Sequence, residues 1–464
     1  MSPVPRVPGG PAIAVARAVG GLSRRLGRGG GTSLPGMVLL RMRPGVVGEL
    51  GARLGGGTAV VSATNGKTTT TRLIAACLRE AGRDIVSNPS GANLLTGVAT
   101  ALMDARVRRD DSRAGLFEVD EAALTRVAAE LRPGVVLLMN LFRDQLDRYG
   151  ELETIAARWG AMVAGLPAGA RVIANADDPA VAELVHGRPG ALTFGIDDPS
   201  VRLESLPHAA DSTRCRRCEG PLAYERVTLG HLGDWACTRC DARRPVPDVR
   251  AVRVRTLGPR GLDLVIATPA GEVRAEVPLP GVHNAYNATA ATAGALSLGV
   301  APEAIARALS ASAAAFGRAE RLALDGRELV LLLAKNPTGA NETVRTVLLD
   351  EQPLNVLIAL NDRTADGRDI SWIWDVDYEP MMERLASLTL TGDRAHELAL
   401  RLRYAGLPDD AMTVLPDPEA ALDHAVGATP AGAPLYVLPT YTAMLGLRAL
   451  LVRRGAAEAF WNER

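Results

Sequence analysis

Thr58-Ala59-Val60-Val61-Ser62 leads without a break into Ala63-Thr64-Asn65-Gly66-Lys67-Thr68-Thr69. The first five residues read as a buried strand, and the next seven as a phosphate-binding loop opening a helix over Thr69–Ala81. In such a loop backbone N–H groups wrap phosphate oxygens, a lysine reaches the outer phosphates, and the following hydroxyl faces Mg²⁺. Gly66, Lys67 and Thr68 fill those places, flanked by Thr64, Asn65 and Thr69. The G-x-x-x-x-G-K-T pattern is incomplete, because Val61 stands where its first glycine belongs. A plain helix N-terminus is the rival reading; the strand before and the helix after favour a nucleotide. Of the 52 Lys and Arg residues, only Lys67 and Lys335 are lysines. Both stand at strand ends, Lys335 within Leu331-Leu332-Leu333-Ala334-Lys335-Asn336-Pro337. A compact ammonium kept where the chain otherwise writes arginine marks a site that needs a point charge. Composition bias with two survivors is the alternative.

Outward from this loop, residues 55–200 alternate short apolar runs with helical stretches, which predicts a doubly wound α/β domain with a parallel sheet. Its strands include Gly115–Val119, Val135–Asn140 and Arg171–Asn175. A stretch of different composition, about residues 206–249, interrupts the pattern. Strands resume at Ala251–Val254, Leu262–Ala267 and Val273–Val277, and a helix follows Gly281-Val282-His283-Asn284. A second α/β unit begins near Leu322, with strands Leu329–Leu333, Asn355–Leu360, Ser387–Thr391 and Pro434–Leu438. Ser310–Phe316, rich in Ala and Ser, reads as a hinge. The expected organisation is an N-terminal segment, 1–54, packed on a central domain, 55–314, followed by a C-terminal α/β domain, 315–464.

The formal net charge is zero, so bulk electrostatics suggests no nucleic-acid partner. No apolar stretch approaches the ~20 residues that span a bilayer. Ala12–Leu26, with Arg17, Arg24 and Arg25, reads as an amphipathic helix, packed on its own domain or in peripheral contact with a membrane. The expected location is the cytoplasm, with the inner membrane face as the place of any such contact. Four of the five cysteines form two pairs, Cys215-Arg216-Arg217-Cys218 and Cys237-Thr238-Arg239-Cys240, with eighteen residues between them. Each pair can present two thiolates to one tetrahedral Zn²⁺, and a closed four-thiolate site is structural. Redox chemistry is the alternative. Cys77 falls in a helical apolar pattern and reads as core.

Glu118-Val119-Asp120-Glu121 ends a strand at the edge where α/β proteins bind ligands. Glu118 and Glu121, with Thr68, are candidate Mg²⁺ ligands; a solvated acidic helix start is the alternative. Asn140 through Gly150 also follows a strand and is densely polar. Asn361 through Glu379 holds five Asp and two of the five Trp. It reads either as a functional loop or as a solvated acidic loop over two core tryptophans.

Together these segments resemble the Mur ligase superfamily, the ATP-dependent amide-forming enzymes of peptidoglycan synthesis and their folylpolyglutamate relatives, over most of residues 55–340. Asn175-Ala176-Asp177-Asp178-Pro179 is similar to that family's N-x-D-D-P turn. His283-Asn284-Ala285-Tyr286-Asn287-Ala288 resembles its H-N-x-x-N helix start, whose second Asn, here Asn287, helps hold adenine. Phe316-Gly317-Arg318-Ala319-Glu320 resembles its interdomain G-R-x-E segment, whose arginine, here Arg318, approaches the nucleotide. Two departures stand out. Gln145 replaces a histidine that in the family binds metal, and no lysine between Lys67 and Lys335 can carry the carbamate that holds a second Mg²⁺. A single Mg²⁺ is the economical expectation. The resemblance places Lys335 where some relatives put a group near the γ-phosphate.

The Cys₄ insertion, the acidic Trp segment and the terminal Pro439-Thr440-Tyr441-Thr442-Ala443-Met444 resemble one branch, the MurT-type subunits of lipid II isoglutaminyl synthases, nearly end to end. This implies a Mur ligase central P-loop domain with a zinc-ribbon insertion, followed by a Rossmann-like C-terminal α/β domain. It implies ATP-driven amidation of the D-glutamate α-carboxylate of lipid II, through an acyl phosphate, with ammonia from a GatD-type glutaminase. In the branch the synthase lends an Asp to the partner's Cys–His pair; Asp369 is the first candidate and Asp375 the second, and spacing does not separate them. The rivals are an amino-acid-adding Mur ligase or folylpolyglutamate-type synthetase, and a nucleotide-binding scaffold that does not turn over.

Overall fold

The computed structural model describes residues 10–25, 33–88, 91–143, 152–208, 210–312 and 318–457, except the side chains of 22–25, 318 and 319. Its first sheet contains β1 (Thr58–Ser62), β2 (Ile85–Ser87), β3 (Ala114–Glu118), β4 (Val135–Leu138), β5 (Arg171–Asn175) and β6 (Leu192–Ile196). A separate hairpin follows, β7 (Leu222–Leu229) and β8 (Leu232–Cys237), and then β9 (Val249–Thr256), β10 (Leu262–Thr268) and β11 (Gly271–Val277) return to the sheet. The order is β2-β3-β1-β4-β5-β6-β9-β10-β11, parallel from β2 to β9 and antiparallel beyond. The strands of residues 55–200 pair in parallel throughout, as expected, and β9 to β11 extend the sheet with two antiparallel pairings. Short turns join β9, β10 and β11, and such connections permit only antiparallel pairing. β1 is buried along its whole length, as a central parallel strand with both faces covered must be.

Helices cover both faces. Lys67–Glu80, Val282–Ser297 and Pro302–Ser310 pack on one, around Ile74, Leu78, Ala288 and Ile305. The N-terminal helices Gly10–Arg25, Leu34–Met42 and Val46–Gly51 share the opposite core with Leu95–Asp104 and Leu124–Leu131. Gly36 lets the second of these approach the Leu95–Asp104 helix: a Cβ there would stand 1.8 Å from the Thr96 carbonyl oxygen. Ala12 and Ala16 are buried, and Arg17 donates to the Met103 carbonyl at 2.5 Å, so the first helix packs on its own domain.

The second sheet has the order β12-β13-β17-β14-β15-β16, from β12 (Arg318–Leu324), β13 (Arg327–Leu332), β14 (Leu354–Ala359), β15 (Leu385–Thr391), β16 (Thr413–Val414) and β17 (Pro434–Pro439). Only β12–β13 is antiparallel. Asp325 and Gly326, both at positive φ, make the tight turn whose twist matches such a hairpin. Apolar clusters line both faces of this sheet. Of the hinge at Ser310–Phe316, residues 313–316 lie outside the described residues, as does Gln145.

Candidate active site

β1 delivers the loop to the carboxyl edge of the first sheet. Gly66 sits at φ +87° immediately before the Lys67–Glu80 helix. A Cβ on it would meet Asn287 Oδ1 at 2.1 Å, so the position demands glycine twice over, by conformation and by contact. Asn287 Oδ1 accepts from Thr70 Oγ1 at 3.3 Å, and its Nδ2 donates to Asn284 Oδ1 at 2.9 Å. Its amide therefore braces the loop from the Val282–Ser297 helix.

Lys67 is buried. Its Nζ donates to the Ala63 carbonyl at 2.8 Å and pairs with Glu121 Oε2 at 3.0 Å. Burial lifts the Glu121 carboxyl, but the ammonium groups of Lys67 and Lys335 outweigh it and hold the group below the usual carboxylate value. The two lysines of the chain thus converge electrostatically on one carboxylate. Asp120 is pushed the other way, by its own burial and then by the Glu121 charge. Thr68 Oγ1 donates to Glu118 Oε1 at 2.9 Å. Asn88 fixes that strand end: Glu118 N donates to Asn88 Oδ1 at 3.0 Å and Asn88 Nδ2 donates to the Glu118 carbonyl at 2.8 Å. A hydroxyl and a carboxylate side by side form a hard-oxygen pair suited to Mg²⁺, so the residues fit that ion.

The loop opens onto a cleft between the two sheets, lined by Asn65, Gly66 and Thr69 on one side and Lys335, Thr338 and Glu342 on the other. Asn65 joins the walls. Its N–H donates to Asn140 Oδ1 at 2.9 Å, and its side-chain oxygen accepts from Asn336 Nδ2 at 3.0 Å. Asn336 also caps the Pro337–Val347 helix through Gly339 N at 2.7 Å. Asn88 was not singled out from the sequence, and Asn140 and Asn336 entered only as members of the polar stretch after β4 and of the Lys335 stretch. Asn336 carried a further local signal, an Asn directly before a Pro at a helix start. Arg318 begins β12, and its side chain lies outside the described residues, so its approach to a nucleotide is not on view.

The N-x-D-D-P turn is a structural hub. Asp178 caps the Pro179–Glu183 turn and accepts from Leu141 N at 2.9 Å. Asp177 accepts from Arg244 Nε and Tyr286 Oη, each at 2.7 Å. Through Arg244 it ties the cysteine-bearing segment to the central sheet. The tip of the β7–β8 hairpin reaches the cleft, where Leu229 and Leu232 form part of the wall and His231 lies 4.6 Å from the Phe142 ring centroid.

Cys215, Cys218, Cys237 and Cys240 meet at the far end of that hairpin, all four sulfurs within 4.8 Å of one another. The nearest pairs are 3.4 and 3.6 Å apart. Disulfide sulfurs stand at about 2.05 Å, whereas zinc–sulfur bonds of about 2.3 Å in a tetrahedron put sulfurs about 3.8 Å apart. The four residues fit a zinc ion. Cys77 is fully buried in the core, and burial raises its thiol to about 12.

Asp369 and Asp375 lie outside the cleft. Asp369 is exposed and accepts from Ser371 N at 2.8 Å. Asp375 pairs with Arg143 Nη1 at 3.1 Å, and Arg143 also donates its backbone N–H to Asp211 at 2.9 Å. Asp375 is thus occupied in joining the second sheet's domain to the first. The two tryptophans part company: Trp372 packs against the core, while Trp374 is 49% exposed and meets Tyr404 edge-on at 5.6 Å. The alternative of an acidic loop over two core tryptophans fits Trp372 and not Trp374.

Residues 61–233 match the Mur ligase middle domain, and residues 333–444 the MurT ligase C-terminal domain. The MurT subunit of the glutamine-hydrolyzing lipid II isoglutaminyl synthase from Streptococcus pneumoniae is 34% identical over 431 residues, 93% of this chain and 94% of that one. This chain belongs to the MurT family. The MurT subunit from Staphylococcus aureus strain N315 is 29% identical, over 85% of this chain and 87% of its own. Among solved structures, a pseudomurein peptide ligase type C from Methanothermus fervidus aligns with a TM-score of 0.66 at 19% identity, over 86% of this chain and 79% of that one. A Mycobacterium tuberculosis folylpolyglutamate synthase complexed with ADP and AMPPCP aligns at 0.61 and 16% identity, over 92% and 99%. At such identities these likenesses show the fold: an α/β Mur ligase architecture, here carrying the MurT C-terminal domain. No helix among the described residues is long and apolar enough to cross a membrane.

Proposed function

We propose that this MurT-family chain is the synthase subunit of a lipid II isoglutaminyl synthase, converting the D-glutamate α-carboxylate of lipid II to the amide at the expense of ATP. A carboxylate is a poor electrophile. Its oxygen attacks the γ-phosphorus, ADP leaves, and the acyl phosphate is then attacked by ammonia; the C–O bond breaks and phosphate departs. The protein's task is positioning and charge stabilisation. Gly66 and its neighbours present main-chain N–H groups to the phosphates, and Lys67 supplies a charge that Glu121 keeps in place beforehand. Lys335, brought from the other domain, offsets charge at the same end. Thr68 and Glu118 are the residues to hold a Mg²⁺, with Glu121 beside them, and that ion neutralises phosphate charge when bound.

The observation that carries this reading is the buried Lys67–Glu121 ion pair beside the Thr68–Glu118 pair, with Gly66, the residue before Lys67, and Lys335 lining one cleft between the two domains. Ammonia comes, in this reading, from a GatD-type glutaminase. Exposed Asp369 is the residue available to complete that partner's Cys–His pair, and Asp375, held by Arg143, is not. The C-terminal sheet serves as a Rossmann-like platform, the Cys₄ ribbon as a zinc-pinned wall of the cleft, and the chain works in the cytoplasm. The test is amidation with lipid II, ammonia, Mg²⁺ and ATP in the absence of any glutaminase. One ADP per amide supports the reading; tight ATP binding with no amide formed overturns it.

A further inference from the structure

The nucleotide cleft leaves unexplained a second groove, to which the Glu118–Glu121 segment contributes Asp120. Its walls come from the Leu34–Met42 helix and the start of the Leu95–Asp104 helix, and Asp120 lines it. Leu34, Met37 and Leu94 are 42%, 39% and 40% exposed. Large apolar side chains so exposed number twelve among the described residues; Met37 and Leu94 line the groove, and Leu34 stands one turn before Met37 on the same helix. Leu34, Met37 and Arg41 recur at helical spacing and share a face. Arg41 and Arg126 are both exposed and line the groove, and Arg126's ion pair with Glu130, at 3.9 Å, leaves it largely solvated. The N-terminal helices are held rigidly behind this face, because Gly36 seats the second helix against Thr96.

An apolar strip beside two solvated guanidinium groups is the complement of an amphiphile with an anionic head and a hydrocarbon tail. Arginine forks match phosphate oxygens in particular. Asp120, which lines the groove, directly precedes Glu121, the partner of Lys67, in the chain. We infer that the groove between Met37, Leu94, Arg41 and Arg126 receives the polyprenyl diphosphate portion of the lipid-linked substrate, the diphosphate on the arginines and the first isoprene units on the apolar strip. This inference rests on the proposed reaction and assigns a place to the substrate's lipid end.

The test is vesicle co-sedimentation of the purified protein. Phosphatidylcholine vesicles carrying undecaprenyl diphosphate are compared with phosphatidylcholine alone and with phosphatidylglycerol vesicles of equal surface charge. The expected result is binding to the first set only, reduced about tenfold by Arg41→Glu and by Met37→Glu. Both sites are exposed, so the two variants retain wild-type ATP affinity and unfolding temperature. Equal binding to the phosphatidylglycerol vesicles, or unchanged binding by both variants, overturns the inference. Full competition by inorganic pyrophosphate also overturns it, since the site then recognises a free diphosphate and not a lipid. Because no turnover is read, its failure is separate from that of the reaction: a wild type that amidates lipid II but ignores these vesicles sinks the groove alone, and one that binds them without amidating sinks the proposed activity.

Discussion

Replacing Gly66 with alanine should damage the loop in two separable ways. Alanine at φ +87° costs about 1 kcal/mol for its left-handed backbone. The new Cβ also falls 2.1 Å from Asn287 Oδ1, so the Asn287 amide must swing away. It then loses the Thr70 hydroxyl at 3.3 Å and Asn284 at 2.9 Å. At about 1 kcal/mol per hydrogen bond the total comes to about 3 kcal/mol. Asn287→Ala alone forfeits the same two bonds, about 2 kcal/mol. The double variant should cost about 3 and not about 5 kcal/mol, a coupling of about 2 kcal/mol. Urea unfolding followed by circular dichroism, on the wild type, both singles and the double, measures all four corners. Additive losses would refute the claim that Gly66 is reserved for the Asn287 amide, and a Gly66→Ala loss below about 1 kcal/mol would refute both causes.

Lys67→Arg should lower ATP turnover by about a hundredfold or more while leaving the fold intact, since the planar fork cannot take the place of a compact ammonium beside Ala63 and Glu121; near-normal turnover contradicts it. Asp369→Asn should abolish glutamine-dependent amidation and spare the ammonia-dependent reaction to within about twofold; equal loss of both places Asp369 in the ligase site. Asp120→Asn should stabilise the protein at neutral pH. Its folded carboxyl is raised above the ordinary 3.8, chiefly by burial and then by Glu121, so the charged form weakens the native state above that raised value. The gain should fade as pH falls through the raised value and vanish below 3.8. Chemical denaturation across that range checks the sign, and a gain that grows with acidity contradicts it.

The loop was legible in the sequence because its chemistry is local: strand, Gly66, Lys67 and helix follow one another, and the Cys₄ spacing is similarly self-contained. The brace around it was not. Asn140 and Asn336 hold Asn65 of the loop, and Asn88 holds Glu118 beside it, across long stretches of chain, and an asparagine bonded to so distant a partner leaves no trace in its neighbours. The pairing of Lys67 with Glu121 likewise depends on β1 and β3 lying side by side. The mixed character of the first sheet was hidden for a related reason. The last returning strand, β11, alternates exposed and buried residues, which shows one open face but not which sheet it joins. Sequence spacing left Asp369 and Asp375 equivalent, and only the distant Arg143 distinguishes them.

The account stands on phosphoryl transfer to a substrate carboxylate at the cleft that Gly66 and Lys335 line. The direct measurement uses lipid II labelled with ¹⁸O in the D-glutamate α-carboxylate, turned over with ATP and ammonia, with the released phosphate read by mass spectrometry. Passage through an acyl phosphate delivers one labelled oxygen to each phosphate for every amide formed. Amide produced with unlabelled phosphate would contradict the account at its centre.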